Sequence, residues 1–321
     1  MSIDTAIDTV TEGINKVDIS DSNDIDTSEI IQTCAQSGKQ GTNLNMCNKC
    51  KAVTYCNAAC KKKHRKKHKK ACERRLAELH EEQLFKDVEP DECPICFLPM
   101  PIETDATTFK SCCGKVICNG CMNAVNQDFH SRGKIPLCAY CRSPPESTMK
   151  EENKRIKRLL DTDNATACYT YGNYYYRGEH GLPQNWAKAN ELWVKAGEYG
   201  HPSGYFNIGV SYRDGTGVDV DMKKALYYFE LAAINGHVNA RYILADIEGR
   251  AGEGHRALKH WVIGARAGHE NCLDAVKQMF MRGCIDKDEY ENTIRACYDR
   301  QKEMNSDARK KAKEMGYGHQ V

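Results

Sequence analysis

Fourteen of the eighteen cysteines fall between Cys34 and Cys141, most of them in pairs separated by two or three residues. A Cys-x2-Cys turn points two thiolates at one ion, and ligands three or four apart on a helix share a face. By that geometry Cys47 and Cys50 can meet His68 and Cys72, and these four make one complete tetrahedral metal site. Farther on, Cys93-x2-Cys96, Cys112-Cys113, Cys118-x2-Cys121 and Cys138-x2-Cys141 supply eight thiols in four pairs, enough for two more closed sites.

The alternative chemistry, disulfide bonding, belongs mostly to small secreted domains. Here Met1 to Ile30 has no basic start and no apolar core, and carries Asp4, Asp8, Glu12, Asp18, Asp21, Asp24, Asp26 and Glu29 against Lys16 alone. This predicts a disordered acidic tail over residues 1–33 in a reducing compartment, cytoplasmic or nuclear, where thiols bind metal. No apolar run is long enough to span a bilayer, so no membrane partner is expected.

The net charge of +2 hides local contrasts, since every residue from Lys61 to Lys70 is Lys, Arg or His. Such a run could address the chain to the nucleus, but no aromatic residues interleave for base stacking, so nucleic acid is not an expected partner. On a helix the same cations would offset thiolate charge and keep the outer face solvated. Pro144 and Pro145 precede a shift toward Tyr and Trp, and Thr148 with Glu151 predicts a capped helix start within a linker at 143–162.

Residues 34–72, with Tyr55 directly before Cys56-x3-Cys60, resemble a MYND zinc finger. The resemblance implies two interleaved zinc sites: Cys34, Cys56 and Cys60 in the first, Cys47, Cys50, His68 and Cys72 in the second. Ser37 stands where the family has its second cysteine, and a neutral hydroxyl is a poor zinc ligand. Water or a nearby group could complete the first site, His64 could, or the site could hold zinc weakly. No SET-type cofactor or catalytic segment follows, which sets aside a MYND-type methyltransferase.

After a helical linker at 73–92 containing Leu76, Leu79, Leu84 and Phe85, residues 93–142 resemble a RING finger in an all-cysteine form. The family's cross-brace implies that Cys93, Cys96, Cys118 and Cys121 hold one ion and Cys112, Cys113, Cys138 and Cys141 the other. Lys115 occupies the usual histidine's place, and Ala139 that of a usual proline. The resemblance further implies contact with a ubiquitin-conjugating enzyme through Ile95 and Arg142, with catalysis by positioning and no covalent catalytic residue.

Beyond residue 160 the chain repeats. Lys188-Ala189, Trp193 and Gly200-His201 recur 36 residues on as Lys224-Ala225, Phe229 and Gly236-His237, and a shorter third copy has Ala257, Trp261 and Gly268-His269. Gly172, Gly209 and Ala245 recur where paired helices would press together. The run Gly215 to Ala225 resembles the Sel1-like repeat, a relative of the tetratricopeptide repeat, over 163–270, followed by a helical cap and tail over 271–321. The resemblance implies an all-α solenoid with a peptide-binding face. The stripe Tyr169, Tyr171, Tyr174, Tyr175 and Tyr176 should divide between core and surface, and unpaired Cys168, Cys272, Cys284 and Cys297 should be small buried hydrophobes.

The expected fold class is therefore multidomain: two small zinc-stabilised α+β modules, then a Sel1-like solenoid, with three to four Zn2+ ions. The function this implies is a RING-type ubiquitin ligase that recruits its protein substrate through the MYND finger and the repeats. The alternatives are a non-enzymatic zinc adaptor that binds peptide ligands, and a MYND-type transcriptional co-regulator.

Overall fold

The computed structural model describes residues 31–316, which divide into two compact units at Leu84 and Phe85. The expected acidic tail lies, through residue 30, outside the described residues; Gln32 and Thr33 belong to the first strand. Among the described residues no helix is long and apolar enough to cross a membrane.

Among the described residues, the first unit has only short strands and one helix. β1 (Gln32–Thr33) pairs with β2 (Gln40–Gly41), β3 (Asn45–Met46) pairs with β4 (Thr54–Tyr55), and one long helix follows, α1 (Ala58–Leu84). Two-residue strands cannot sustain a sheet alone. The apolar core is Cys47, Cys50, Tyr55 and Cys72, with Val53, Cys60 and Leu76 packed against it, so metal-ligand side chains are themselves most of the interior. α1 runs unbroken through the expected finger boundary because Gly and Pro are absent from its sequence and i,i+4 pairs such as Lys69–Glu73 and Arg74–Glu78 recur along it.

The linker expected to be helical through residue 92 leaves the helix at Leu84, short of Pro90, which cannot continue one. In the second unit Phe85 packs 4.8 Å from the His260 ring, and Arg241 donates to the Lys86 carbonyl at 3.0 Å. The following chain builds the hairpin of β5 (Thr107–Lys110) and β6 (Lys115–Cys118), then α2 (Asn119–Ser131). Ile117, Met122 and Ala139 form its core beside Cys93 and Cys118, with Ile95 and Val125 at the edge.

α3 (Met149–Leu160) starts where Thr148 accepts a hydrogen bond from the Glu151 N–H, as the capping signal indicated. Four helix pairs follow: α4 (Ala165–Arg177) with α5 (Trp186–Glu198), α6 (Pro202–Asp214) with α7 (Met222–Ile234), α8 (Val238–Arg250) with α9 (Gly254–Arg266), and α10 (Glu270–Met281) with α11 (Lys287–Met304). A short α12 (Asp307–Glu314) closes the described chain. The recurrent small residues lie at helix contacts: a β-carbon at Gly172 would come within 2.7 Å of Trp193, and one at Gly209 within 2.8 Å of Phe229. Each ring fills the groove that the glycine leaves, and stacking the pairs buries a continuous core that no single pair could bury.

The Tyr stripe divides as its spacing requires, with Tyr171 buried, Tyr176 exposed and the others between. Cys168, Cys272 and Cys297 are buried, but Cys284 is exposed, in the turn that leads from α10 to α11.

Candidate metal centres

Among the described residues four groups of ligand atoms come together, each with all members within 4.8 Å of one another: Cys47, Cys50, His68 and Cys72; Cys93, Cys96, Cys118 and Cys121; Cys112, Cys113, Cys138 and Cys141; and Cys34, Cys56 and Cys60. Zn–S bonds of about 2.3 Å place the sulfurs of a tetrahedral site about 3.8 Å apart. Observed separations are close to that edge: 3.9 Å for Cys47–Cys72, 3.9 Å for Cys93–Cys121, 3.8 Å for Cys96–Cys118, 4.0 Å for Cys113–Cys138 and 3.4 Å for Cys112–Cys141. Cys50 Sγ and His68 Nε2 are 3.2 Å apart.

Local backbone geometry explains how each pair is aimed. Three of the four Cys-x2-Cys pairs sit on tight turns whose next residue is left-handed, namely Lys51 (φ 53°), Phe97 (φ 57°) and Arg142 (φ 62°). Each of these residues donates its N–H to the carbonyl of the first cysteine, at 3.0, 2.9 and 3.0 Å. Few side chains favour this conformation, and here it is imposed by closure of the turn around the ligands. Cys118 and Cys121 instead straddle the start of α2, and burial pushes both thiols up. The adjacent Cys112 and Cys113 both reach one cluster because the hairpin turn between β5 and β6 bends there, with Gly114 at φ 70° donating to Lys110 O at 2.8 Å. Lys115 lies over the Tyr140 ring.

The thiols of each four-residue group do not ionise alike. Burial raises Cys47, but hydrogen bonds from the Cys50 backbone and the His68 side chain outweigh it and hold it at about 6. Burial, together with the hydrogen bonding and charge of Cys50 and Cys47, pushes Cys72 up to about 12. In the third group Cys141 is held at about 6, its burial outweighed chiefly by hydrogen bonds from Ser143, while burial and neighbouring thiolates push Cys113 up to about 11. Thiolates this close repel one another, and a divalent soft cation removes that repulsion. Thiolate and imidazole donors at tetrahedral separation are the ligand set of zinc. The residues present therefore fit three to four Zn2+ ions.

The three-thiolate group has Ser37 at its open corner. Ser37 Oγ lies 3.6 Å from Cys56 Sγ, and its hydroxyl bond to the Cys34 sulfur is the main reason that thiol is held down at about 6. His64, one of the three candidates to complete this site, is turned elsewhere: its Nδ1 meets Tyr55 Oη at 3.1 Å and its ring stacks on His68 at 5.9 Å. The tyrosine hydroxyl captures it because both belong to the wall of the other site. Ser37→Cys is accordingly expected to convert this group into a four-thiolate site, slowing its zinc loss to a chelator on the order of tenfold or more. Time-resolved native mass spectrometry would show it as a persistent extra ion.

Ile95 and Arg142 both lie in the module of residues 93–142, Ile95 half-buried at the edge of its core and Arg142 exposed after the last cysteine. Sequence reasoning missed the backbone role of Arg142 and the part played by Arg309, a distant residue whose guanidinium reaches Cys96 Sγ at 3.7 Å. The former had a signal, the recurring place just after a Cys-x2-Cys pair; the latter had none.

Comparison with known protein families covers the first metal module and part of the repeats. The MYND finger family model matches residues 34–72, and the Sel1 repeat model matches 165–201 and 202–237; neither extends over the cysteine module at 93–142. A solved Sel1 repeat protein from Oxalobacter formigenes is 22% identical, over 46% of this chain and 64% of that one, with a TM-score of 0.40. A protective antigen of uropathogenic Escherichia coli displaying an SLR fold is 22% identical, over 49% of this chain and 35% of that one, with a TM-score of 0.42. The chain thus spans less than two thirds of either structure. It carries a zinc-binding MYND finger and a helical array of Sel1 repeats.

Proposed function

We propose that this protein is a zinc-dependent interaction adaptor whose middle module acts as a RING-type ubiquitin ligase, holding a ubiquitin-charged conjugating enzyme while the MYND finger and the Sel1 repeats recruit protein substrate. The interleaving of the two four-cysteine groups within residues 93–142 carries this reading: first and third pairs share one group, second and fourth the other. Such a cross-brace fixes two loops rigidly side by side. Ile95 then stands at the edge of one ligand turn and Arg142 just past another, the two contacts that positioning catalysis needs. Phe97, Ile135 and Tyr140 add exposed apolar surface on the same module, at 71%, 72% and 47% exposure, which suits a protein-docking face.

A non-enzymatic adaptor is the second reading, favoured by Ala139: it is buried in the module core, where a RING ligase usually offers a proline to its partner. Autoubiquitination in a reconstituted reaction with a panel of conjugating enzymes separates the two. The ligase reading expects chains from the wild type that are lost in Ile95→Ala and Arg142→Ala, with zinc content unchanged. A wild type as silent as its variants would leave the adaptor alone standing.

A further inference from the structure

α12 docks on the helix of the second zinc module. Gly120 permits the approach, since a β-carbon there would lie 2.9 Å from both Cγ and the backbone N of Arg309. One and two turns on, the side-chain amides of Asn123 and Gln127 reach Met315 Sδ at 3.5 and 3.1 Å. This places Arg309, only 8% exposed, inside the ligand turn. Its Nη1 donates to Pro99 O at 2.6 Å and to Met304 O at 3.0 Å, while Nη2 donates to Leu98 O at 3.3 Å and to Cys96 Sγ at 3.7 Å.

A buried guanidinium needs compensating acceptors and negative charge. Four thiolates around one Zn2+ leave a net charge of about −2, which a fixed cation nearby partly neutralises. Carbonyls just past the Cys93–Cys96 turn, Leu98 O and Pro99 O, accept from the two terminal nitrogens, and Met304 O at the end of α11 also accepts from Nη1, so the two-nitrogen fork of arginine is used, not merely its charge.

We propose that α12 is a clasp on the zinc site formed by Cys93, Cys96, Cys118 and Cys121, with Arg309 as the cation that retains the metal from outside the ligand set. Zinc retention at this one site and docking of α12 are then reciprocally coupled, and the last described helix reports the metal state of a module nearly two hundred residues earlier. The coupling requires zinc at this site and is independent of ligase activity, so failure of the ubiquitination assay leaves it intact.

The test uses the full chain and follows thiol-by-thiol alkylation under a competing chelator, with hydrogen exchange of residues 307–314. Arg309→Met is expected to speed alkylation at Cys96 and Cys118 by about 10- to 100-fold while Cys112 and Cys138 keep the wild-type rate. Arg309→Lys should fall between, having the charge without the fork. Gly120→Ala should reproduce the effect with Arg309 intact by lifting the helix, whereas Lys310→Ala, on the exposed side of α12, should change nothing. In the reverse direction, Cys96→Ser should expose the amides of α12 to exchange. Wild-type alkylation rates in Arg309→Met would overturn the proposal, and so would equal acceleration at both clusters of the module, which means general loosening.

Discussion

Cys50→Ala is expected to unfold the first module outright while the repeat helices persist. Among the described residues, the unit ending at Leu84 has four two-residue strands and a core built largely of its own metal ligands, so little apolar area remains to hold it once the ion is gone. Structural zinc supplies on the order of 10 kcal/mol or more in small finger domains, more than such a core can replace. The paired cysteine-histidine contact at 3.2 Å is lost, and Cys47 and Cys72 are left as two thiols with no shared cation. Native mass spectrometry should count one ion fewer, and limited proteolysis should cut within residues 34–57 before it cuts the repeats. A module that resists protease as well as the wild type would show that its fold does not depend on this ion.

The second large effect is acid loss of solenoid stability. His201 and His237 begin α6 and α8, with rings stacked on Tyr169 at 4.4 Å and on Phe206 at 4.3 Å. Burial lowers His201 to about 4, and burial together with the charges of His201 and His269 lowers His237 to about 3. The folded chain therefore holds fewer protons at these sites than the unfolded chain, in which histidine titrates near 6.5. Their contribution is complete above about pH 6.5 and is lost as the pH falls toward 4 and 3, reaching on the order of 3–5 kcal/mol each.

Glu230 works the other way. Burial, with the charge of Glu248 added, raises it to about 7, so the folded state gains relative stability as the pH falls from 7 toward the ordinary carboxylate range. The two histidine shifts together exceed this one, and His260 and His269 are lowered as well. In urea titrations at pH 7 and pH 5, His201→Asn with His237→Asn should shrink the stability difference between the two pH values by about 3–4 kcal/mol relative to wild type. Asparagine can replace the capping bond that His237 accepts from the Ala240 N–H, and it does not titrate. Equal differences in the two proteins would assign the acid sensitivity elsewhere.

The ligand groups were legible in the sequence because metal chemistry constrains spacing locally. Two thiols on one turn, or a histidine and a cysteine one helical turn apart, must converge wherever the fold places them, and all four groups assemble from the residues that spacing and family resemblance indicated. The repeats were legible for a similar reason: a 36-residue period with small residues opposite large rings forces neighbouring helix pairs to stack in one way. Thr148 announced its helix through a contact three residues long.

What lay beyond the sequence depends on distance in space. Nothing in residues 58–92 distinguished a finger helix plus a linker helix from the single helix α1, and the contacts that Phe85 and the Lys86 carbonyl make within the second unit are between residues far apart in sequence. His64 had the right spacing for the incomplete site, yet a tyrosine hydroxyl captured it. The recurrent Gly-His pairs marked helix ends, but only stacking against the preceding repeat buries those imidazoles and shifts their titration. Arg309 reads in sequence as one more cation in a basic tail. Its role exists only because the solenoid returns the chain to the zinc module, a long-range closure that no local periodicity encodes.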